Sequence, residues 1–185
     1  MNKKFFIALL FLGSYISKAQ NLKTVKSPDG NLEVSLTIDE GTLFYTVSYL
    51  KEKIMANAPL GIRTNEGNFD KGLSFVTSAS EKISNSYEQD KIKQSQITYT
   101  ANSLKYTVSN RENKQLSVLF QVSDNDIAFR YEIPKWGETR SIVIENELTG
   151  FKFPENTTSF LSGMMHPMTG FARTAPSYES AYNAD

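Results

Sequence analysis

Alternation of apolar and polar residues with a period of two, interrupted at short intervals by turn-forming residues, constrains this chain more than any other feature. After the turn Ser27-Pro28-Asp29-Gly30, Leu32, Val34, Leu36 and Ile38 alternate with Glu33, Ser35 and Thr37. Side chains two apart share one face of a strand, so this run predicts a half-buried strand. Asp39-Glu40-Gly41 reverses the chain into Leu43, Tyr45, Val47 and Tyr49, and the two runs read as a hairpin. A turn at Lys51-Glu52-Lys53 leads to Ile54-Met55, and Pro59 and Gly61 punctuate the approach to Ile62. Clean alternation returns at Leu104, Tyr106 and Val108, at Leu116, Val118, Phe120 and Val122, and at Ile127, Phe129, Tyr131 and Ile133. Ile142 and Ile144 begin another strand, and Phe151 and Phe153 one more. Leu73 to Val76 also reads as a strand, whereas the polar stretch from Ser78 to Gln96 reads as loop or edge structure. No amphipathic helical spacing follows residue 20, so the pattern predicts an all-β, antiparallel sandwich or barrel rather than alternating β and α units.

The first nineteen residues are set apart from this pattern. Lys3 and Lys4 precede an apolar run from Phe5 to Leu12, and Ser17-Lys18-Ala19 is a small-x-small cleavage site. This is the layout of a secretory signal, cleaved near Ala19, and it predicts a periplasmic or extracellular product. The apolar run is shorter than the ~20 residues a membrane span needs, and no later stretch comes closer. The chain holds no cysteine, which excludes disulfides and a lipid-modified N-terminal cysteine. Loss of Lys3, Lys4 and Lys18 with the signal leaves 17 basic against 20 acidic residues, with the lysines scattered. Such a surface has no field to attract a polyanion, so nucleic acid is not an expected partner.

Motifs for chemistry are sparse. His166 is the only histidine, which removes every mechanism that needs a histidine cluster, and neither a G-x-S-x-G elbow nor a phosphate loop is present. Asp124-Asn125-Asp126 resembles the start of a calcium loop, but Phe129 stands where an EF-hand needs glycine, so it reads as a hairpin turn. Glu145 and Glu147 are two apart on a strand and are expected to share a solvated face. Glu179 is flanked by Tyr178 and Tyr182, with Phe171 and Arg173 upstream, in a Met-, Pro- and Tyr-rich segment without alternation. An acid among aromatics suits either a sugar site, by stacking and hydrogen bonding, or a calcium ligand, by hard oxygen donation. No catalytic residue is assigned.

Several stretches are nevertheless familiar together: Ser27-Pro28-Asp29-Gly30-Asn31-Leu32, Tyr45-Thr46-Val47-Ser48-Tyr49, Asp126-Ile127-Ala128-Phe129-Arg130-Tyr131-Glu132-Ile133-Pro134 and Pro176-Ser177-Tyr178-Glu179-Ser180-Ala181-Tyr182. In order and spacing they resemble the N-terminal domain of glycoside hydrolase family 97, with the Ala-Phe-Arg-Tyr strand the most specific piece. The resemblance implies a β-super-sandwich of the galactose-mutarotase type over residues 20–185, incomplete at its C-terminus, followed in the family by a catalytic (β/α)8 barrel that is absent here. It further implies an exported enzyme cleaving α-glucosidic or α-galactosidic bonds, whose two catalytic carboxylates lie in that barrel. By motif, Glu179 is the residue the N-terminal domain lends to a calcium ion, and Phe171, Tyr178 and Tyr182 would line or support the cleft for an oligosaccharide or α-glycoside. The segment around Met164-Met165-His166-Pro167-Met168 departs from the tryptophan-rich sequence of other members. Two alternatives stand beside this reading: a free-standing carbohydrate-binding sandwich using exposed aromatics such as Trp136, and a truncated product whose unpaired strand edges favour aggregation.

Overall fold

A computed structural model describes residues 21–159 apart from Ile92, Gln94, Thr139 and Arg140. Eleven strands run in chain order as β1 (Lys23–Lys26), β2 (Leu32–Asp39), β3 (Thr42–Tyr49), β4 (Glu52–Leu60), β5 (Ile62–Thr64), β6 (Gly67–Asn68), β7 (Ser74–Glu88), β8 (Gln96–Ser109), β9 (Gln115–Val122), β10 (Ile127–Glu132) and β11 (Ile144–Glu147). Among the described residues there is no helix. The strands form sheets of order β1-β2-β3-β4, β10-β9-β8-β7 and β11-β5-β6, with every pairing antiparallel. The chain divides into two compact units, residues 1–152 and 153–185. Of the second, residues 153–159 are described: an irregular stretch with a turn in which the Thr157 N–H donates to the Pro154 carbonyl. The strand expected at Phe151 and Phe153 does not form.

The predicted alternation is what fills the core. Val34 and Leu36 of β2 and Leu43, Tyr45 and Val47 of β3 are buried, as are Leu104, Tyr106 and Val108 of β8 and Leu116, Val118, Phe120 and Val122 of β9. The polar residues between Leu32 and Ile38 are only half-buried, so one face of the first sheet meets the second and the other faces water. Tyr45 reaches across to Phe120, their ring centres 5.6 Å apart, and Phe120 stacks on Phe129 at 5.2 Å. These tilted and stacked rings join the sheets by contacts worth about 0.5–1.5 kcal/mol per pair beyond area burial.

Two hairpin turns share one backbone solution through different residues. Glu40 and Gly41, at φ 47° and 77°, both lie in the left-handed region that a two-residue type I′ turn requires, and Asp39 pairs with Thr42 across it. A side chain at Gly41 would also bring its Cβ within 2.8 Å of the Gly72 nitrogen, so glycine is demanded by space as well as by φ. The next turn is Leu50-Lys51, at φ 50° and 72°, with Tyr49 paired to Glu52. It sits one residue ahead of the predicted Lys51-Glu52-Lys53 reversal, because neither left-handed residue is a glycine or asparagine that would mark it. Pro59 falls inside β4, which is tolerated because β4 is an edge strand of its sheet.

β7 decides between the two readings of the polar stretch after Val76. Its register with β8 is unbroken from Thr77↔Thr107 to Glu88↔Gln96, so Ser78 to Glu88 is edge strand and not loop. β9 accompanies β8 only as far as Asn102↔Val122. Ile83–Glu88 and Gln96–Ala101 therefore continue as a two-stranded arm beyond the sheet.

The core makes a contrast that thermal or denaturant unfolding will read. Phe120→Ala removes the ring at the centre of the inter-sheet cluster and is expected to cost about 3–5 kcal/mol. Arg130→Ala on the outer face, where Arg130 pairs at 2.8 Å with Glu132 and is 66% exposed, is expected to cost less than about 1 kcal/mol.

Burial also predicts an alkaline limit. Tyr106 is fully buried, donates its hydroxyl to the Asn21 carbonyl at 2.8 Å, and has its pKa pushed up to about 12 by desolvation. Tyr45 and Tyr131 are raised by burial as well. The unfolded chain then releases these phenolic protons first, so their stabilisation is complete below about pH 10 and is lost as pH rises through about 12. Equilibrium unfolding across that window is expected to show a falling free energy, with a shallower slope in Tyr106→Phe.

Candidate functional site

Beyond β11 the chain is laid along the β4–β5 edge by a set of backbone and tyrosine contacts. The Leu148 N–H donates to the Gly61 carbonyl at 2.8 Å, Gly150 N–H to Pro59 at 2.9 Å, and Ala56 N–H to Lys152 at 3.3 Å. Tyr45 of β3 donates its hydroxyl to the Gly150 carbonyl at 3.0 Å. Tyr131 of β10 accepts the Gly61 N–H at 2.9 Å and shares a 2.7 Å hydrogen bond with the Thr149 hydroxyl. One phenolic oxygen thus holds both the β4–β5 junction and the chain that follows β11. Burial raises the pKa of both phenols further above their ordinary value, so the hydroxyls hold their protons to higher pH. Gly150 allows the close approach, since a Cβ there would lie 2.8 Å from the Pro59 Cδ.

Several acidic groups in the described residues serve the scaffold. In the Ser27–Asn31 turn, Asp29 accepts from the Ser27 hydroxyl and the Asn31 N–H, which lower its pKa, and its own N–H donates to the Asp124 carboxylate at 2.8 Å. That bond ties the β1–β2 turn to the β9–β10 turn. Ser123 N–H donates to the Asp126 carbonyl, and the Ser123 hydroxyl accepts from the Asp126 N–H, so Asp124-Asn125-Asp126 is the hairpin turn its sequence suggested. Glu132 is held below the usual carboxylate range by hydrogen bonds from Lys105 and Arg130. Glu145 and Glu147 are both exposed, as expected of a solvated face. Ile144 opposes Thr64 and Glu147 opposes Ile62, which leaves Glu145 as the extra residue of a bulge.

Trp136 is not an open platform for a sugar. Its ring stacks on Phe69 at 5.1 Å, its Nε1–H donates to the Gln115 carbonyl at 3.1 Å, and the Lys114 ammonium lies 5.8 Å from its ring centre. An open hollow of about 880 Å³ is lined by residues that include Asp39, Glu40, Phe44 and Phe75, but no third acidic or histidine side chain joins its two acids. Among the described residues no group of three or more His, Cys, Asp or Glu could hold a metal ion, and no helix is long and apolar enough to cross a membrane. Phe171, Tyr178, Glu179 and Tyr182, together with His166, lie outside the described residues.

Asp29, Asp124 and Glu132 are thus engaged in turns and a surface ion pair, and Tyr45 and Tyr131 at a sheet edge. Comparison with known proteins places this β scaffold. The sequence profile of the glycosyl-hydrolase 97 N-terminal domain matches residues 25–185. This chain belongs to that family. Among solved structures, a beta-arabinopyranosidase is 41% identical over 88% of this chain, with a TM-score of 0.80. Family 97 enzymes from Pseudoalteromonas sp. strain K8, in complex with panose or with acarbose, are 24% identical over 72% of the chain, with a TM-score of 0.66, and share the fold. The chain spans 26% of the arabinopyranosidase chain and 20% of the Pseudoalteromonas chains. No curated protein sequence matches it.

In this family 97 domain, two of the stretches that carry the resemblance are structural. Ser27-Pro28-Asp29-Gly30 is the turn joined to Asp124. Ala128-Phe129-Arg130-Tyr131 supplies the inter-sheet ring, the outer-face ion pair and the clamping hydroxyl on successive residues. Sequence reading recognised the strand but not the hydroxyl's task, which depends on partners 70 and 18 residues away.

The clamp is testable without any ligand. Tyr131→Phe keeps the ring and leaves the Gly61 N–H without its acceptor, so a loss of about 1–3 kcal/mol is expected by denaturant unfolding. Amide exchange should quicken at Gly61, Leu148 and Gly150 more than in β8 or β9. Equal quickening everywhere would show that the hydroxyl contributes only to global stability.

Proposed function

We propose that this chain is the N-terminal, cleft-supporting domain of an exported glycosidase acting on small pyranosides, with Glu179 as a calcium ligand and Phe171, Tyr178 and Tyr182 lining the substrate cleft. The family assignment over residues 25–185 carries the proposal. The beta-arabinopyranosidase likeness at 41% identity directs it toward particular sugars. In the L series, a β-arabinopyranoside has the ring configuration of an α-D-galactoside without the C6 hydroxymethyl group. The two substrate types therefore differ at one substituent and would share a cleft. An α-galactoside or β-arabinopyranoside accordingly fits this domain's enzyme better than an α-glucoside. Export follows from the basic, apolar and small-x-small order of residues 1–19.

Calcium takes six to eight oxygens at about 2.4 Å, and one carboxylate supplies one or two of them. Glu179 has the right donor chemistry, while the described residues offer no cluster to complete a shell. The remaining oxygens would come from outside residues 21–159. When bound, the ion would supply positive charge near the scissile bond. This chain's part is to hold one carboxylate ligand and to stack aromatic rings against the sugar.

The decisive experiment uses the full polypeptide that carries this domain. Its activity is to be measured on nitrophenyl α-galactoside, β-L-arabinopyranoside and α-glucoside, alongside calcium-dependent thermal stabilisation. Glu179→Ala is expected to abolish the stabilisation by calcium and to reduce hydrolysis at least tenfold, while the apo melting temperature stays unchanged. Full calcium response in the variant would remove Glu179 from the site. Preference for the α-glucoside would reverse the substrate assignment.

A further inference from the structure

The β7–β8 arm carries a pattern that neither the core nor the proposed site uses. Beyond the last β9 partner, Ile83, Asn85 and Tyr87 of β7 lie opposite Ala101, Tyr99 and Ile97 of β8, so these six share one face. It is the outer face of the sheet, continuous with Glu81↔Ser103 and Ala79↔Lys105, and opposite to the face on which Leu104 and Tyr106 meet the core. Tyr87 is 47% exposed and Asn85 is exposed, Ile83, Ile97 and Tyr99 are half-buried, and Ala101 at the base of the arm is buried. The other face bears Lys82, Ser84, Ser86 and Glu88 on β7, all exposed. Among the described residues β7 is also the edge of its sheet, so its outward N–H and C=O groups can pair with another strand.

We infer that this edge is a self-association surface, on which β7 pairs antiparallel with β7 of a second copy in the register centred on Asn85. A two-fold axis normal to the sheet keeps each face on its own side, so residues whose numbers differ by an even amount come opposite each other. Centred on Asn85, Ile83 meets the second copy's Tyr87, Ser84 meets Ser86, and Lys82 meets Glu88, each pair occurring twice. Apolar, hydroxyl and oppositely charged residues are thereby matched at every position from Lys82 to Glu88. Centring on Glu81 or Lys82 would instead place like charges together. Charge selects β7 over the other open edge of the arm, because β8 from Gln96 to Ala101 has no charged residue to set a register. Lys82 enters no ion pair among the described residues, and Glu88 accepts only the neutral Gln96 amide at 3.1 Å, so both charges are available. Seven paired residues per strand form a small interface, so the dimer is expected to be weak and concentration-dependent.

Charge exchange provides the test, by sedimentation velocity over a range of concentrations on the full polypeptide carrying this domain. Lys82→Glu and Glu88→Lys, made singly, each set like charges against one another twice and are expected to weaken self-association roughly tenfold. An equimolar mixture of the two variants restores the opposite-charge pairs and is expected to recover the dimer, as is the double exchange in one chain. Unchanged melting temperatures confirm that the variants fold. A wild-type chain that stays monomeric at hundreds of micromolar would overturn the inference, and protection of the arm's amides from exchange in that monomer would assign the arm to the remainder of its own polypeptide. A dimer indifferent to both single exchanges would place the contact on another surface. Single variants that dimerise no better when mixed would refute the Asn85-centred register.

Discussion

A sheet with one dry face is stable only if something covers that face and something closes its edges, and in this domain phenolic side chains contribute to both. Tyr45 and Phe129 surround Phe120 in the inter-sheet core. The hydroxyls of Tyr45 and Tyr131 emerge from that same cluster to hold the chain beyond β11 along β4 and β5. A tyrosine can serve both roles because its ring is apolar and its hydroxyl still satisfies a backbone partner. Packing and edge closure are coupled as a result. A change that shifts the ring also moves the hydroxyl that fixes the segment leaving the sandwich.

That coupling explains how much of the fold was legible in the sequence. β2, β3, β8, β9 and β10 each place alternate side chains in the common core, so their period is written directly in Val, Leu, Ile, Tyr and Phe. β7 reads ambiguously beyond Val76 because it is an edge strand, and among the described residues no second sheet covers its arm to impose alternation. Ser, Asn and Thr there can satisfy either a strand or a loop, and pairing with β8 decides between them. β1 buries only Val25 and so has no period to detect. The Leu50-Lys51 turn was misplaced because non-glycine residues took left-handed geometry imposed by the hairpin. Exposure of Glu145 and Glu147 was legible, whereas the bulge at Glu145 was not.

The candidate site rests on a different signal. Glu179 and its aromatic neighbours stand out in the sequence by chemistry, not by periodicity, and lie outside the described residues. Family membership is what motivates the role proposed for them. The reverse holds for Trp136, which composition alone made a candidate sugar platform and which packing on Phe69 assigns to the sandwich. Isolated aromatic residues are ambiguous in this way because stacking on a sugar and stacking on a phenyl ring demand the same flat apolar surface.

The division between scaffold and chemistry follows from what each requires. A glycosidic bond is cleaved between two carboxylates whose separation fixes the stereochemical course, so both need rigid mounting on opposite sides of one bond. In the described sandwich Asp29, Asp124 and Glu132 are engaged in turns and a surface ion pair, and edge contacts fix the path of the chain beyond β11. The Tyr131 hydroxyl, Gly61 and Gly150 form such a fixture within the first unit, ending at Lys152. The Asp29 turn and the Phe129 to Tyr131 strand, which carry the family resemblance, thereby have mechanical roles in this chain.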